Sequence, residues 1–141
     1  MEIKTEILIH STPEKVWSIL TDFDKYPEWN PFIKYIQGEV KEGNQIKVKV
    51  GPKDGKGMIF QPKVLSFQKN SELRWIGKLL FPGIFDGEHQ FLLIDNGNNT
   101  TTLKHNEKFK GILKGFLNLE KTKKGFESMN IKLKELAESN G

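Results

Sequence analysis

The segment Leu20-Thr21-Asp22-Phe23-Asp24-Lys25-Tyr26-Pro27-Glu28-Trp29-Asn30-Pro31-Phe32 restricts the possible folds more than any other part of the chain. It holds four aromatic residues and two prolines directly behind a short amphipathic stretch. That is too apolar for a solvated linker. Proline lacks an N–H and crowds the residue before it, so one continuous helix is excluded as well. The segment predicts two short helices meeting at a sharp corner, with Tyr26, Trp29 and Phe32 turned onto something concave.

The remaining periodicities predict what that corner packs on. Ile3, Thr5, Ile7 and Ile9 alternate with Glu2, Lys4, Glu6 and Leu8, as in a half-buried strand. Thr12-Pro13-Glu14 is a helix start, with a cap, a proline at the first helical position and an acid in the first turn. Val16, Trp17, Ile19 and Leu20 form the buried stripe of that helix. Strands are predicted near 33–40, 45–51, 57–68, 72–78, 87–95 and 100–110, most of them separated by turn signals such as Asp54-Gly55 and Asn96-Gly97-Asn98. From about 111 the period is helical, with Ile112, Leu119, Phe126 and Leu133 at seven-residue spacing and Phe116, Met129 and Leu136 beside them. Seven strands, two short helices after the first strand and one long final helix predict a curved antiparallel sheet closed by that helix.

Strand parity selects the side chains that face the enclosed space. Trp75 falls on one face of 72–78 with Leu73, and Phe60 shares a face with Met58, Pro62 and Val64. Leu103, His105, Glu107 and Phe109 share a face of 100–110, and the set containing His89, Phe91 and Leu93 is taken as inner in 87–95. A hairpin centred on Gly97 would bring His89 opposite His105, with Glu107 one pleat away.

Composition sets outer limits. A chain of 141 residues suits one domain spanning 1–141. The net charge of +4 is spread without a dense basic run, and Glu120 and Glu127 flank Lys121, Lys123 and Lys124, so nucleic-acid binding is not expected. Zero cysteines exclude disulfides and thiolate chemistry. No apolar stretch reaches membrane-spanning length and no leader is read at the N-terminus, so the expectation is a cytoplasmic protein without integral membrane association.

Several blocks together resemble a known family. Pro13-Glu14-Lys15-Val16-Trp17, Leu20-Thr21-Asp22-Phe23, Tyr26-Pro27-Glu28-Trp29-Asn30-Pro31-Phe32, Leu73-Arg74-Trp75-Ile76-Gly77, Gly87-Glu88-His89-Gln90-Phe91, Glu107-Lys108-Phe109-Lys110-Gly111 and Met129-Asn130 are similar to the SRPBCC polyketide cyclase/dehydrase and lipid-transport family. The resemblance runs from Ile3 to about Glu138. It implies an α+β, START-like helix-grip fold: a seven-stranded curved antiparallel sheet gripping a long C-terminal helix around an apolar cavity. It implies no single reaction, because the family mixes cyclases, carriers and chaperone activators.

Two functional readings stay open. In the first, Trp29, Phe60, Trp75, His89, Phe91, His105, Glu107, Phe109, Phe116, Phe126 and Met129 line a cavity for a small hydrophobic ligand, and the protein is a carrier or sensor. In the second it is an enzyme on a polyketide-like or aromatic substrate, with a histidine of the pair His89 and His105 moving protons under the orientation of Glu107. The same aromatics could equally fill a solid core, and the same polar trio could be a self-satisfied buried network. No cofactor and no metal are expected, and the oligomeric expectation is a monomer or weak dimer. Gly77 to Asp86 reads as a portal loop. Gly125 reads as a bend in the final helix, where alanine would slightly stabilise the fold.

Overall fold

The N-terminal alternation becomes β1 (Glu2–Ile9), with Ile3, Thr5 and Ile9 buried. The computed structural model describes residues 1–51, 57–78, 85–111 and 119–139. Thr12 caps α1 (Pro13–Leu20) by accepting from the Lys15 N–H at 3.3 Å, and Val16, Trp17 and Leu20 fill the core side of the helix. Thr21 ends it, both its N–H and its hydroxyl turning back to the Trp17 carbonyl.

The aromatic corner is a 3₁₀ turn (Phe23–Lys25) running into α2 (Tyr26–Trp29). Phe23, Tyr26 and Trp29 pack edge to face, with centroids 5.5 and 5.3 Å apart. Tyr26 is completely buried, and its hydroxyl donates to the Leu20 carbonyl. Burial, with Asp22 second, raises its pKa far above the usual tyrosine value, so it stays a donor. Asn30 closes the corner: its Oδ1 accepts from the N–H groups of Phe32 (2.9 Å) and Ile33 (2.8 Å), which starts the next strand.

That strand is β2 (Ile33–Gln37), followed by β3 (Lys47–Val50), β4 (Met58–Phe60), β5 (Lys63–Gln68), β6 (Glu72–Lys78), β7 (Phe85–Asp95) and β8 (Thr101–Gly111). All neighbours are antiparallel, in a five-stranded sheet β1-β8-β7-β6-β5 and a three-stranded sheet β2-β3-β4. The described strands are thus eight, where seven are expected from the sequence. The extra one comes from 57–68, which breaks at Gln61-Pro62 because proline cannot donate to the ladder. The two halves of that segment join different sheets, and Met58 is exposed rather than inward.

The final helix α3 (Leu119–Glu138) turns Phe126, Met129, Asn130, Leu133 and Ala137 to the sheet. Leu136 is 37% exposed, not part of the stripe; the 3.6-residue period carries the seam from Leu133 to Ala137 instead. Near its end, Lys134 Nζ donates to the Leu8 carbonyl and to Glu138, and Glu138 also accepts from the His10 N–H, which clasps α3 to the end of β1. The long helical period beginning at 111 has its first turns, with Ile112 and Phe116, outside the described residues. No helix among the described residues is long and apolar enough to cross a membrane.

Candidate functional site

The five-stranded sheet aligns its inward side chains in rows that run across the strands. One row is Ile3–Glu107–His89–Trp75–Val64, and the next is Thr5–His105–Phe91–Leu73–Phe67. The sequence parity therefore places the right residues on the inner face. The register differs: His89 stands opposite Glu107, and His105 opposite Phe91. The hairpin is centred on Asn98, with a five-residue loop closed by the Asn96 N–H to the Thr100 carbonyl and with Gly97 and Asn99 at positive φ. A shift of two residues leaves every side chain on its face, which is why the trio still meets.

His89, His105 and Glu107 form part of a longer hydrogen-bonded chain. Glu107 Oε1 lies 2.6 Å from His89 Nδ1, and His89 Nε2 lies 2.7 Å from His105 Nε2. His105 Nδ1 is 2.9 Å from Asn130 Oδ1 on α3. Asn130 Nδ2 then donates to Thr5 Oγ1 at 2.9 Å, and the Thr5 hydroxyl donates to the His105 carbonyl at 2.7 Å. Asn130 and Thr5 are polar residues on otherwise apolar faces. That pattern could have flagged them from sequence, but their tie to His105 joins positions 25 and 100 residues apart.

Tautomers follow from this chain. The Thr5 hydroxyl is committed as a donor, so Asn130 presents its amide N–H₂ to Thr5 and its oxygen to His105. His105 is therefore protonated at Nδ1. Burial above all, then the neighbouring His89, holds its pKa well below the ordinary histidine value, so the ring is neutral. Its Nε2 then accepts from His89 Nε2–H, which leaves one proton shared between His89 Nδ1 and Glu107 Oε1.

Both ring nitrogens of both histidines are engaged within the chain, and His105 is fully buried. Glu107 has the solvent-accessible surface, its side chain being 17% exposed. Its second oxygen, Oε2, has no hydrogen-bond partner among the described residues and lies over Gly87, where an added Cβ would sit 2.4 Å from it. Gly87 pairs with Gly77 on one side and Phe109 on the other, so two adjacent positions of the inner face carry no side chain. Trp75 stacks on His89 (5.0 Å, 15°) beside this bare strip.

The other expected site residues divide by exposure. Phe91, Phe126 and Met129 have no accessible surface; His105 stacks on Phe126 at 4.1 Å and lies 4.3 Å from Phe91, so these residues pack behind the chain. Trp75 and Phe109 keep 5% each, while Trp29 and Phe60 are half-buried. Phe116, and residues 79–84 of the expected portal, lie outside the described residues. Among the described residues no group of three or more histidine, cysteine or acidic side chains is placed to hold a metal. On the opposite face of the sheet a groove of about 450 Å³ is lined by Glu2, Lys4, Glu72, Arg74, Glu88 and other polar residues. Arg74 there pairs with Glu72 and Glu88, which makes the groove unsuited to an apolar molecule.

The buried neutral His105 links stability to pH. Unfolded histidine binds a proton near pH 6.5, whereas folded His105 does so only at much lower pH. The unfolded state therefore gains protons first, and stability falls as pH drops below about 6.5, by up to roughly 1.4 kcal/mol per pH unit from this group. Denaturant midpoints at pH 7.5, 6.5 and 5.5 check this. A His105→Phe variant should show a shallower decline, and an equal slope in both proteins contradicts the assignment.

Comparison with known proteins agrees with this architecture. The family described as polyketide cyclase / dehydrase and lipid transport matches residues 1–138. The chain belongs to that family. A Mesorhizobium loti protein is 20% identical, with a TM-score of 0.78 over 100% of this chain and 99% of that one. A START superfamily protein from Mycobacterium smegmatis is also 20% identical, with a TM-score of 0.74 and 97% of each chain covered. The di-domain ARO/CYC StfQ of the steffimycin biosynthetic pathway is 12% identical, with a TM-score of 0.68 over 98% of this chain and 52% of that one. These likenesses establish the START-like helix-grip fold of this family member. No curated protein matches the chain in sequence.

Proposed function

We propose that the chain binds a small hydrophobic molecule against the inner face of its sheet, as a carrier or sensor. The observation that carries this reading is the bare strip at Gly77 and Gly87, bordered by Trp75, Phe109 and the Glu107 carboxylate. The two glycines add no side chains of their own, so an occupant there meets the Glu107 carboxylate over Gly87 and Pro62 beside Gly77, and aromatic walls reward an apolar occupant at about 25 cal/mol per Å² buried. Trp29, Phe60, Trp75, Phe109 and Glu107 are the proposed contacts. His89, His105, Phe91, Phe126 and Met129 form the support behind them. The protein is proposed to act in the cytoplasm, as a monomer or weak dimer.

Native mass spectrometry of protein purified from cells, followed by solvent extraction, is expected to show a co-purifying apolar compound. Gly87→Ala, which places a methyl group on the strip and pushes the Glu107 carboxylate aside, is expected to reduce its occupancy at least threefold. A purified protein that carries nothing and takes up no apolar dye overturns the reading.

One observation favours an enzyme as the second reading. The 2.6 Å contact between Glu107 and His89 holds a mobile proton beside an apolar surface, as a group abstracting a proton next to a carbonyl requires. Glu107, not a histidine, is then the residue that touches substrate, with His89 as its positioning residue. Turnover of a polyketide-like substrate that survives Glu107→Leu contradicts this reading.

A further inference from the structure

The hydrogen-bond chain behind Glu107 has a direction, and that direction selects the ligand. Its far end is anchored by the Thr5 hydroxyl donating to the His105 carbonyl, which forces Asn130 to present its oxygen to His105. The chain then holds one proton beyond those that the neutral rings carry. That proton lies between Glu107 Oε1 and His89 Nδ1. On Glu107 Oε1 it makes Oε2 the carbonyl oxygen of a carboxylic acid; on His89 it leaves Oε2 a carboxylate oxygen. Oε2 accepts a hydrogen bond in both cases. Only a second proton, added to a buried cluster that already holds one, would turn Oε2 into a donor.

Resting on the binding function proposed above, we infer that the site is selective for apolar molecules bearing one neutral hydrogen-bond donor, a phenolic or enolic hydroxyl or an N–H, which donates to Glu107 Oε2. The geometry around Oε2 supports a ligand contact. Oε2 sits over the side-chain-free position Gly87, which pairs with a second glycine, Gly77, and no described residue satisfies it. An oxygen with unused acceptor capacity beside aromatic walls gains most from an occupant that brings its own donor. The methyl ether of such a ligand fills the same volume but leaves Oε2 unpaired. An anionic ligand of the same size places a second negative oxygen against the carboxyl group. The site is thus expected to rank hydroxyl above ether and above carboxylate.

Calorimetric titration with 1-naphthol, 1-methoxynaphthalene and 1-naphthoate at pH 7.5 tests the ranking with three probes of one ring system. The expected result is that 1-naphthol binds at least tenfold more tightly than either of the others. Glu107→Leu should bring 1-naphthol and 1-methoxynaphthalene within threefold of each other. Glu107→Gln separates hydrogen-bond acceptance from charge. Its amide N–H₂ can donate to His89 Nδ1, leaving the amide oxygen in the place of Oε2, and the hydroxyl preference should persist. Gly87→Ala, which displaces the carboxyl group without removing it, should lose the preference as Glu107→Leu does.

If the ether and the hydroxyl compound bind the native protein equally, or if 1-naphthoate binds best, the donor selectivity is wrong while the binding function stands. If the preference survives Glu107→Leu, it has another origin and the assignment to Oε2 fails. If no probe binds the native protein at all, the binding function itself fails and takes this inference with it.

Discussion

Replacing His105 with alanine is expected to lower the unfolding free energy by about 3–5 kcal/mol, the range for deleting a large buried ring. The ring has no accessible surface and is stacked on Phe126 at 4.1 Å, so its loss opens a cavity between β8 and α3. It also strands the Asn130 oxygen and the His89 N–H, each a buried group that costs roughly 1–3 kcal/mol when unpaired. His105→Phe separates the two contributions, since it keeps the volume and removes the hydrogen bonds. Chemical denaturation should place it between the native protein and His105→Ala. A loss below about 1 kcal/mol for alanine would mean that the cluster does not hold the helix to the sheet.

Gly125→Ala is expected to destabilise the protein by about 1–3 kcal/mol, as overpacking does in a filled core. Helix propensity alone argues for a gain of up to about 1 kcal/mol, and that is the expectation from sequence. The fold reverses it. A Cβ at Gly125 would lie 2.5 Å from Phe32 Cδ1 and 3.0 Å from Phe32 Cε1, and that ring is itself held edge-on against Phe126 at 5.1 Å. Gly125 therefore allows α3 to approach the residue that ends the aromatic corner. In a Phe32→Ala background the obstacle is gone, and Gly125→Ala should become neutral or stabilising. This double-mutant cycle gives a coupling of opposite sign to the single effect. A native-background Gly125→Ala protein with a raised melting temperature would show that the contact is not as close as described.

Gly125 also shows which kinds of statement a sequence supports. The cap at Thr12, the corner at Pro27 and Pro31, the inward parity of His89, His105 and Glu107, and the stripe through Phe126, Met129 and Leu133 were all legible. Each depends on the geometry of a few neighbouring residues. The division of 57–68 at Pro62 was within reach too, because a proline in a strand interior is a known obstacle to the ladder. The partnership of Asn130 and Thr5 with His105 was not. It joins the first strand, the eighth strand and the final helix, and no local period encodes which polar residues meet across such distances.

Sequence by itself determined the faces: alternation at two residues and recurrence at 3.6 are properties of the backbone, so they fix which side chains turn inward before any long-range contact forms. Tertiary structure alone decided the pairing. Moving β8 by two residues against β7 preserves every face, and only the loop at Asn96–Thr100 and the packing of α3 select the register that sets Glu107 beside His89. That choice gives the histidines their internal partners and leaves the second glutamate oxygen above Gly87 with no hydrogen-bond partner among the described residues.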